Sequence, residues 1–155
     1  MTTAKPKTIV RSKITGEAET HARTLLKVRD LVDVSDEPVE RNGTNEGFAP
    51  TEFFLGSLAA CSNVISHKIA KKNDINLESM DILIDASFNR LGVTLQEEID
   101  LPFADIQLRI EVSTDASDEQ MEVIKRDLPK YCPVAKMIEA AGTKIDTEWV
   151  IRRST

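Results

Sequence analysis

Pro50-Thr51-Glu52-Phe53-Phe54-Leu55-Gly56-Ser57-Leu58-Ala59-Ala60-Cys61-Ser62-Asn63-Val64-Ile65-Ser66-His67-Lys68-Ile69-Ala70-Lys71-Lys72 is the stretch on which the fold of this chain turns. Proline suits the first turn of a helix, where its missing N–H would have had no partner. After it only Gly56 weakens the run, and Phe54, Leu58, Cys61, Ile65 and Ile69 recur at helical spacing. Phe53, Leu55 and Val64 put apolar groups on further sides, more than one small sheet buries. The reading is a long buried helix from Pro50 to Lys72 that needs cover from more than one direction.

Strands are expected on both sides of it. Upstream, Thr8 to Thr15 and Thr20 to Val28 alternate apolar and polar residues around Gly16-Glu17, which reads as a hairpin. Leu31 to Val34 adds a third short strand, stopped by Ser35-Asp36-Glu37-Pro38, and the polar, glycine-bearing segment Arg41 to Gly47 leads to the helix. Downstream, Met80 to Arg90 sets Ile82, Ile84, Ala86 and Phe88 against Asp81, Leu83, Asp85 and Ser87; Ile106 to Val112 repeats the alternation, so the two are expected to pair. Ser117-Asp118-Glu119-Gln120 has the form of a capping box, and Met121, Ile124 and Leu128 carry that helix to Pro129. A second short helix begins with Cys132 as its N-cap and Pro133 at its first position, and ends at Gly142; Lys144 to Arg152 is a last strand. No internal repeat or interdomain linker is visible, so residues 1–155 read as one domain.

Composition excludes several classes. With 155 residues, 41% hydrophobic and 30% charged, this is an ordinary globular chain. A net charge of −6, with Lys and Arg spread along the sequence, gives no footprint for nucleic acid. Lys5, Lys7, Arg11 and Lys13 interrupt the first fifteen residues, against a secretory signal, and no apolar run has membrane-spanning length. A cytoplasmic protein with no membrane partner is expected. In a reducing compartment its two cysteines are then free thiols or a reversible disulfide. No Gly-x-Gly-x-x-Gly or Gly-x-Ser-x-Gly occurs, so neither nucleotide binding nor a hydrolase elbow is supported, and no cofactor is expected.

Those thiols are the candidate chemistry. At a helix N-terminus Cys132 would feel the unpaired amide groups, and Lys130 and Lys136 act in the same direction, which favours the thiolate. Position alone leaves it open between a tuned thiol and an incidental cap. Cys61, in mid-helix among Leu58, Ala59, Ala60 and Ile65, reads by itself as core packing. His21 and His67 do not suggest a metal site: His67 shares a helix with Cys61 but lies about 120° around it, and no metal is expected. Phe48, Phe53 and Phe54 cluster at the helix entry, as core or dimer packing or as the wall of an apolar pocket.

The wording around both cysteines decides between these readings. Ala49-Pro50-Thr51-Glu52 followed by Leu58-Ala59-Ala60-Cys61, then Tyr131-Cys132-Pro133-Val134-Ala135, resembles the OsmC/Ohr family, and the order of elements matches over nearly the whole chain. The resemblance implies an α+β fold with an antiparallel sheet wrapped around a long buried central helix, in an intertwined homodimer. It implies reduction of organic hydroperoxides, in which the Cys61 thiolate attacks the peroxide and becomes a sulfenic acid. Cys132 resolves it to a Cys61–Cys132 disulfide, and a small or protein-bound dithiol restores the thiols. The two Cα atoms are then expected about 4.4–6.8 Å apart in the oxidised form.

One departure bears on activity. In the hydroperoxidase branches the residue after the helix-opening proline is a glutamate that holds a peroxide-orienting arginine, whereas here it is Thr51. Glu52 comes one residue late, nine positions and about 180° around the helix from Cys61. Arg23 is the nearest equivalent of the arginine, with Arg29 and Arg41 as rivals. The expected catalytic set is therefore Cys61 and Cys132, with Arg23 and Glu52 as accessory candidates. The alternative is a protein of this family that is not a peroxidase and binds a small apolar ligand or partner in the same dimer-interface cleft.

Overall fold

The structure, a computed structural model, describes residues 8–154; Lys5 and Lys7 of the N-terminal reading lie outside them. The chain is α+β, and it divides inside its long helix, between Phe54 and Leu55, into two compact units.

The first unit is a meander of β1 (Thr15–Ala18), β2 (Thr24–Val28) and β3 (Leu31–Ser35), antiparallel in that order. The hairpin expected at Gly16-Glu17 forms one turn later. Both residues sit in β1, opposite Leu26 and Leu25, and residues 8–14 form no strand. Thr20 moves the turn: its hydroxyl accepts the N–H groups of Ala22 and Arg23 at 3.2 and 2.9 Å, a local closure that the glycine does not offer. β2 and β3 meet through Arg29-Asp30, with Arg29 at φ 55°.

Proline ends β3 as expected, and the following loop is organised by a residue that reads in sequence only as part of the stop. Asp36 is fully buried, and its Oδ2 accepts from Thr44 N–H (3.0 Å), Thr44 Oγ1 (2.6 Å) and Glu46 N–H (3.1 Å). The Thr44 hydroxyl, first among these, holds its carboxyl below the usual carboxylate range. Gly43 closes the same loop so tightly that a Cβ would lie 1.7 Å from the Glu37 carbonyl oxygen. Gly43→Ala is therefore expected to destabilise the protein by about 1–3 kcal/mol; an unchanged urea midpoint would contradict that packing.

The helix α1 (Pro50–Lys72) has the expected limits. Glu52 starts it, accepting the Ala49 N–H at 2.8 Å, and Lys71 and Lys72 complement the dipole at its end. In the single chain only one stripe is buried: Leu58, Ser62, Ser66, Ile69 and Ala70.

The second unit joins the rest of α1 to a sheet in the order β4-β5-β6. β4 (Ser79–Ala86) and β5 (Asp105–Thr114) pair antiparallel as their alternation requires. Ile106, Leu108, Ile110 and Val112 face inward, while Arg109, Glu111, Glu148 and Arg152 form ion pairs on the other face. β4 stops at Ala86, short of Arg90. The segment after it holds the short helix α2 (Arg90–Val93), unforeseen in sequence, whose N-cap Asn89 accepts Leu91 N–H at 3.0 Å.

Ser117 and Gln120 form the reciprocal capping box of α3 (Asp118–Tyr131), which runs two residues past Pro129. In the last turn the proline forfeits one helical bond, and Cys132 N–H still closes on Leu128 O at 2.9 Å. The helix α4 (Pro133–Ala140) follows, and Gly142, at φ 102°, takes the left-handed turn after it. Because α3 and α4 carry the chain back across the sheet, β6 (Lys144–Arg153) lies parallel to β5, the one parallel pairing among the described strands. Met121, Ile124 and Leu128 of α3, with Ala135 and Ile138 of α4, join Leu58 and Ile69 on the inner sheet face in one core. Among the described residues no helix is long and apolar enough to cross a membrane.

Candidate functional site

The two cysteines come together within the second unit. Cys61 lies half-buried on α1, and Cys132 is fully buried where α3 gives way to α4. Both are free thiols, and their side chains are close enough to interact electrostatically. The 70-residue separation is closed by packing: Cys61 projects from the apolar face of α1, and the Pro129–Pro133 corner delivers Cys132 to the same core.

The electrostatics of the pair reverse one expectation. As N-cap of α4, Cys132 does accept an amide bond, from Ala135 N–H at 3.4 Å, and this favours its thiolate. Burial outweighs it, and the neighbouring Cys61 sulfur acts with burial, so the Cys132 thiol is pushed up to about 11. Lys130 is not directed at it, since its ammonium binds Asp127 at 3.1 Å. Cys132 therefore keeps its proton at neutral pH.

This raised value makes folding stability depend on alkaline pH. The folded chain holds the Cys132 proton where the unfolded chain releases it, so the stabilisation is complete below the ordinary thiol value and is lost as pH rises through about 11. Urea unfolding at stepped pH is expected to show stability falling across that window, more steeply than in Cys132→Ser. Equal slopes for the two proteins would refute the assignment.

The accessory candidates have other engagements. Glu52 caps α1 through Ala49 N–H, so its carboxylate serves the helix start. In the first unit Arg23 is held by Glu19 at 2.5 Å and by Glu46, two carboxylates that no sequence spacing singled out. Of its rivals, Arg29 sits at a hairpin tip and Arg41 pairs with Glu37 at 2.5 Å. Phe48 and Phe53 stack obliquely with centroids 5.5 Å apart. His67 Nδ1 donates to Asn63 O at 3.0 Å, and no group of three or more His, Cys, Asp or Glu among the described residues is placed to hold a metal ion.

Between the C-terminal half of α1 and the end of α3 runs an open groove of about 410 Å³. Ile65, one turn beyond Cys61, and Ile69 make its floor, Tyr131 stands next to Cys132 in its wall, and Lys68, Lys72 and Arg126 rim it. Asp127 lines the groove too and pairs with Arg126, so the rim is of mixed charge, and the apolar floor suits a molecule with an alkyl body. Two thiols in contact, one protonated and one partly exposed, can pass reversibly to a disulfide.

A family model described as OsmC-like protein matches residues 43–148, a span that includes both cysteines and excludes Arg23. Solved structures with the same fold include an OsmC-like protein from Mycoplasma pneumoniae (TM-score 0.74, 17% identity, covering 91% of this chain and 98% of that one). An organic hydroperoxide resistance protein from Legionella pneumophila aligns with TM-score 0.67 and 16% identity over 94% of this chain and 98% of its own. A hypothetical protein from Aquifex aeolicus aligns with TM-score 0.76 and 18% identity over 95% and 100%. No curated protein matches the chain.

Proposed function

The chain belongs to the OsmC-like protein family, and from that premise we propose that it reduces organic hydroperoxides through a Cys61/Cys132 dithiol–disulfide cycle, in defence against oxidative stress. The observation that carries this reading is that packing brings Cys61 and Cys132, far apart in sequence, side by side in one core. The Cys61 thiolate attacks the terminal peroxide oxygen; the O–O bond breaks, the alkoxide takes a proton and leaves as the alcohol, and Cys61 becomes a sulfenic acid. The Cys132 sulfur then attacks the Cys61 sulfur, its proton leaves with the hydroxyl as water, and the disulfide forms. An external dithiol returns both thiols and becomes a disulfide itself. The organic group occupies the groove over Ile65 and Ile69.

A homodimer in the cytoplasm belongs to the same reading. α1 leaves Phe54 and Val64 40% and 48% exposed, surface that a second copy would cover. A stable monomer in the ultracentrifuge at micromolar concentration would oppose it.

A second reading is favoured by one observation: Thr51 replaces the acid expected after Pro50, and Glu52 is committed to capping. Under it the protein binds a small apolar ligand or partner and turns over no peroxide. Stopped-flow consumption of cumene or tert-butyl hydroperoxide with a dithiol reductant separates the two. Turnover supports the cycle; none with any alkyl peroxide, in folded protein whose two thiols both titrate, supports the binding protein.

A further inference from the structure

A second cavity, built entirely from the second unit, is lined by Ser62 and Ala135, close in sequence to Cys61 and Cys132. It measures about 330 Å³, is open to solvent on one side, and is lined by residues of α1, α3, α4 and the inner face of β5 and β6. Leu108, Leu128 and Trp149 give it apolar walls. Ser62, the residue after Cys61, lines it from α1; it is 1% exposed, and its hydroxyl has no hydrogen-bond partner. A helical serine commonly returns its hydroxyl to the carbonyl one turn back; Ser62 does not. A buried polar group left without a partner is rare in a folded protein, and beside a cavity it marks the place of a partner supplied from outside.

We propose that this cavity is a binding site for a compact neutral molecule of roughly bicyclic size, with an apolar body and one hydroxyl or carbonyl that pairs with Ser62. The volume bounds the size: a buried cavity of about 150 Å³ accepts benzene, and this half-open one offers about twice that space. The lining sets the polarity, since one orphan hydroxyl among apolar walls calls for one polar group and no more. The mouth sets the charge. Lys125 is tied to Glu122 at 2.7 Å, and Glu139 brings the opposite sign beside it, so neither a cation nor an anion is favoured. The site stands apart from the groove over Ile65 and Ile69, and it does not rest on peroxide turnover.

Trp149 is the only tryptophan in the chain, so its emission reports occupancy directly. Borneol, a bicyclic alcohol, and bornane, its hydrocarbon parent, absorb nothing in the tryptophan range and serve as the probe pair. In the whole protein both are expected to shift Trp149 emission saturably to shorter wavelength, borneol at lower concentration. Ser62→Ala is expected to weaken borneol about threefold to tenfold, the worth of one hydrogen bond, and to leave bornane unchanged. Thr147→Phe, a substitution at an exposed position of the cavity mouth, is expected to abolish both responses while secondary structure and thiol titration stay as in the wild type. No saturable shift with either probe would overturn the proposal, as would equal loss of borneol and bornane in Ser62→Ala, or binding that persists in Thr147→Phe.

Discussion

Cys61→Ser is expected to lose hydroperoxide turnover by at least about a thousandfold, because a hydroxyl lacks both the acidity and the nucleophilicity of the thiol it replaces. Cys132→Ser is expected to behave differently. Its first oxidation should proceed, since Cys132 in the wild type keeps its proton and is not the attacking sulfur at that stage. The sulfenic acid then has no neighbour to condense with, so one equivalent of peroxide traps Cys61 as sulfenic acid and an excess carries it to sulfinic acid. Mass spectrometry of the peptides holding each cysteine reads the outcome. Oxidation of Cys132 in Cys61→Ser, at the wild-type rate, would overturn the division of labour. The buried, proton-retaining environment of Cys132 argues against that result, although its place at the start of α4 taken alone would favour it.

Ile110→Ala is expected to cost about 2–5 kcal/mol of stability. Ile110 is 0% exposed, lies at the centre of β5 between Leu108 and Val112, and packs in the core that holds Met121 and Ile124. Truncation removes contacts from a site that rigid neighbours on α3 and both flanking strands keep from collapsing. Leu83→Ala makes the control. Leu83 pairs with Arg109, one register step from Ile110, but it faces outward and is 61% exposed. Its loss is expected within about 0.5 kcal/mol. Comparable urea midpoints for the two variants would mean that the alternation assigns the wrong face to the core.

The elements most legible in sequence were those whose signal repeats. α1 kept both its limits because proline, an acidic first turn, an apolar period and two terminal lysines all agree on them. β4 and β5 showed their inner faces through strict alternation, and α3 announced its start through Ser117 and Gln120. Where the signal was a single residue, it misled. Gly16 suggested a turn, but the Thr20 hydroxyl made a better one four residues on. Pro129 suggested a stop, but a helix can lose one bond in its final turn. Asp36 and its partner Thr44 stand eight positions apart across a loop without regular spacing, so no periodicity linked them.

At the site the same division holds. The sequence by itself determined the two thiols, the helix that carries one, the cap position of the other and, through the words around them, the family. These are local or patterned properties, written in residue type and spacing. The tertiary structure alone decided that the sulfurs meet, that β6 returns parallel to β5, and that Glu19 and Glu46 rather than a helix-entry acid hold Arg23. It also decided the ionisation of Cys132. The helix N-terminus is visible in sequence, whereas desolvation depends on what packs over the sulfur from α1 and the sheet, and for a fully buried thiol desolvation is the larger effect.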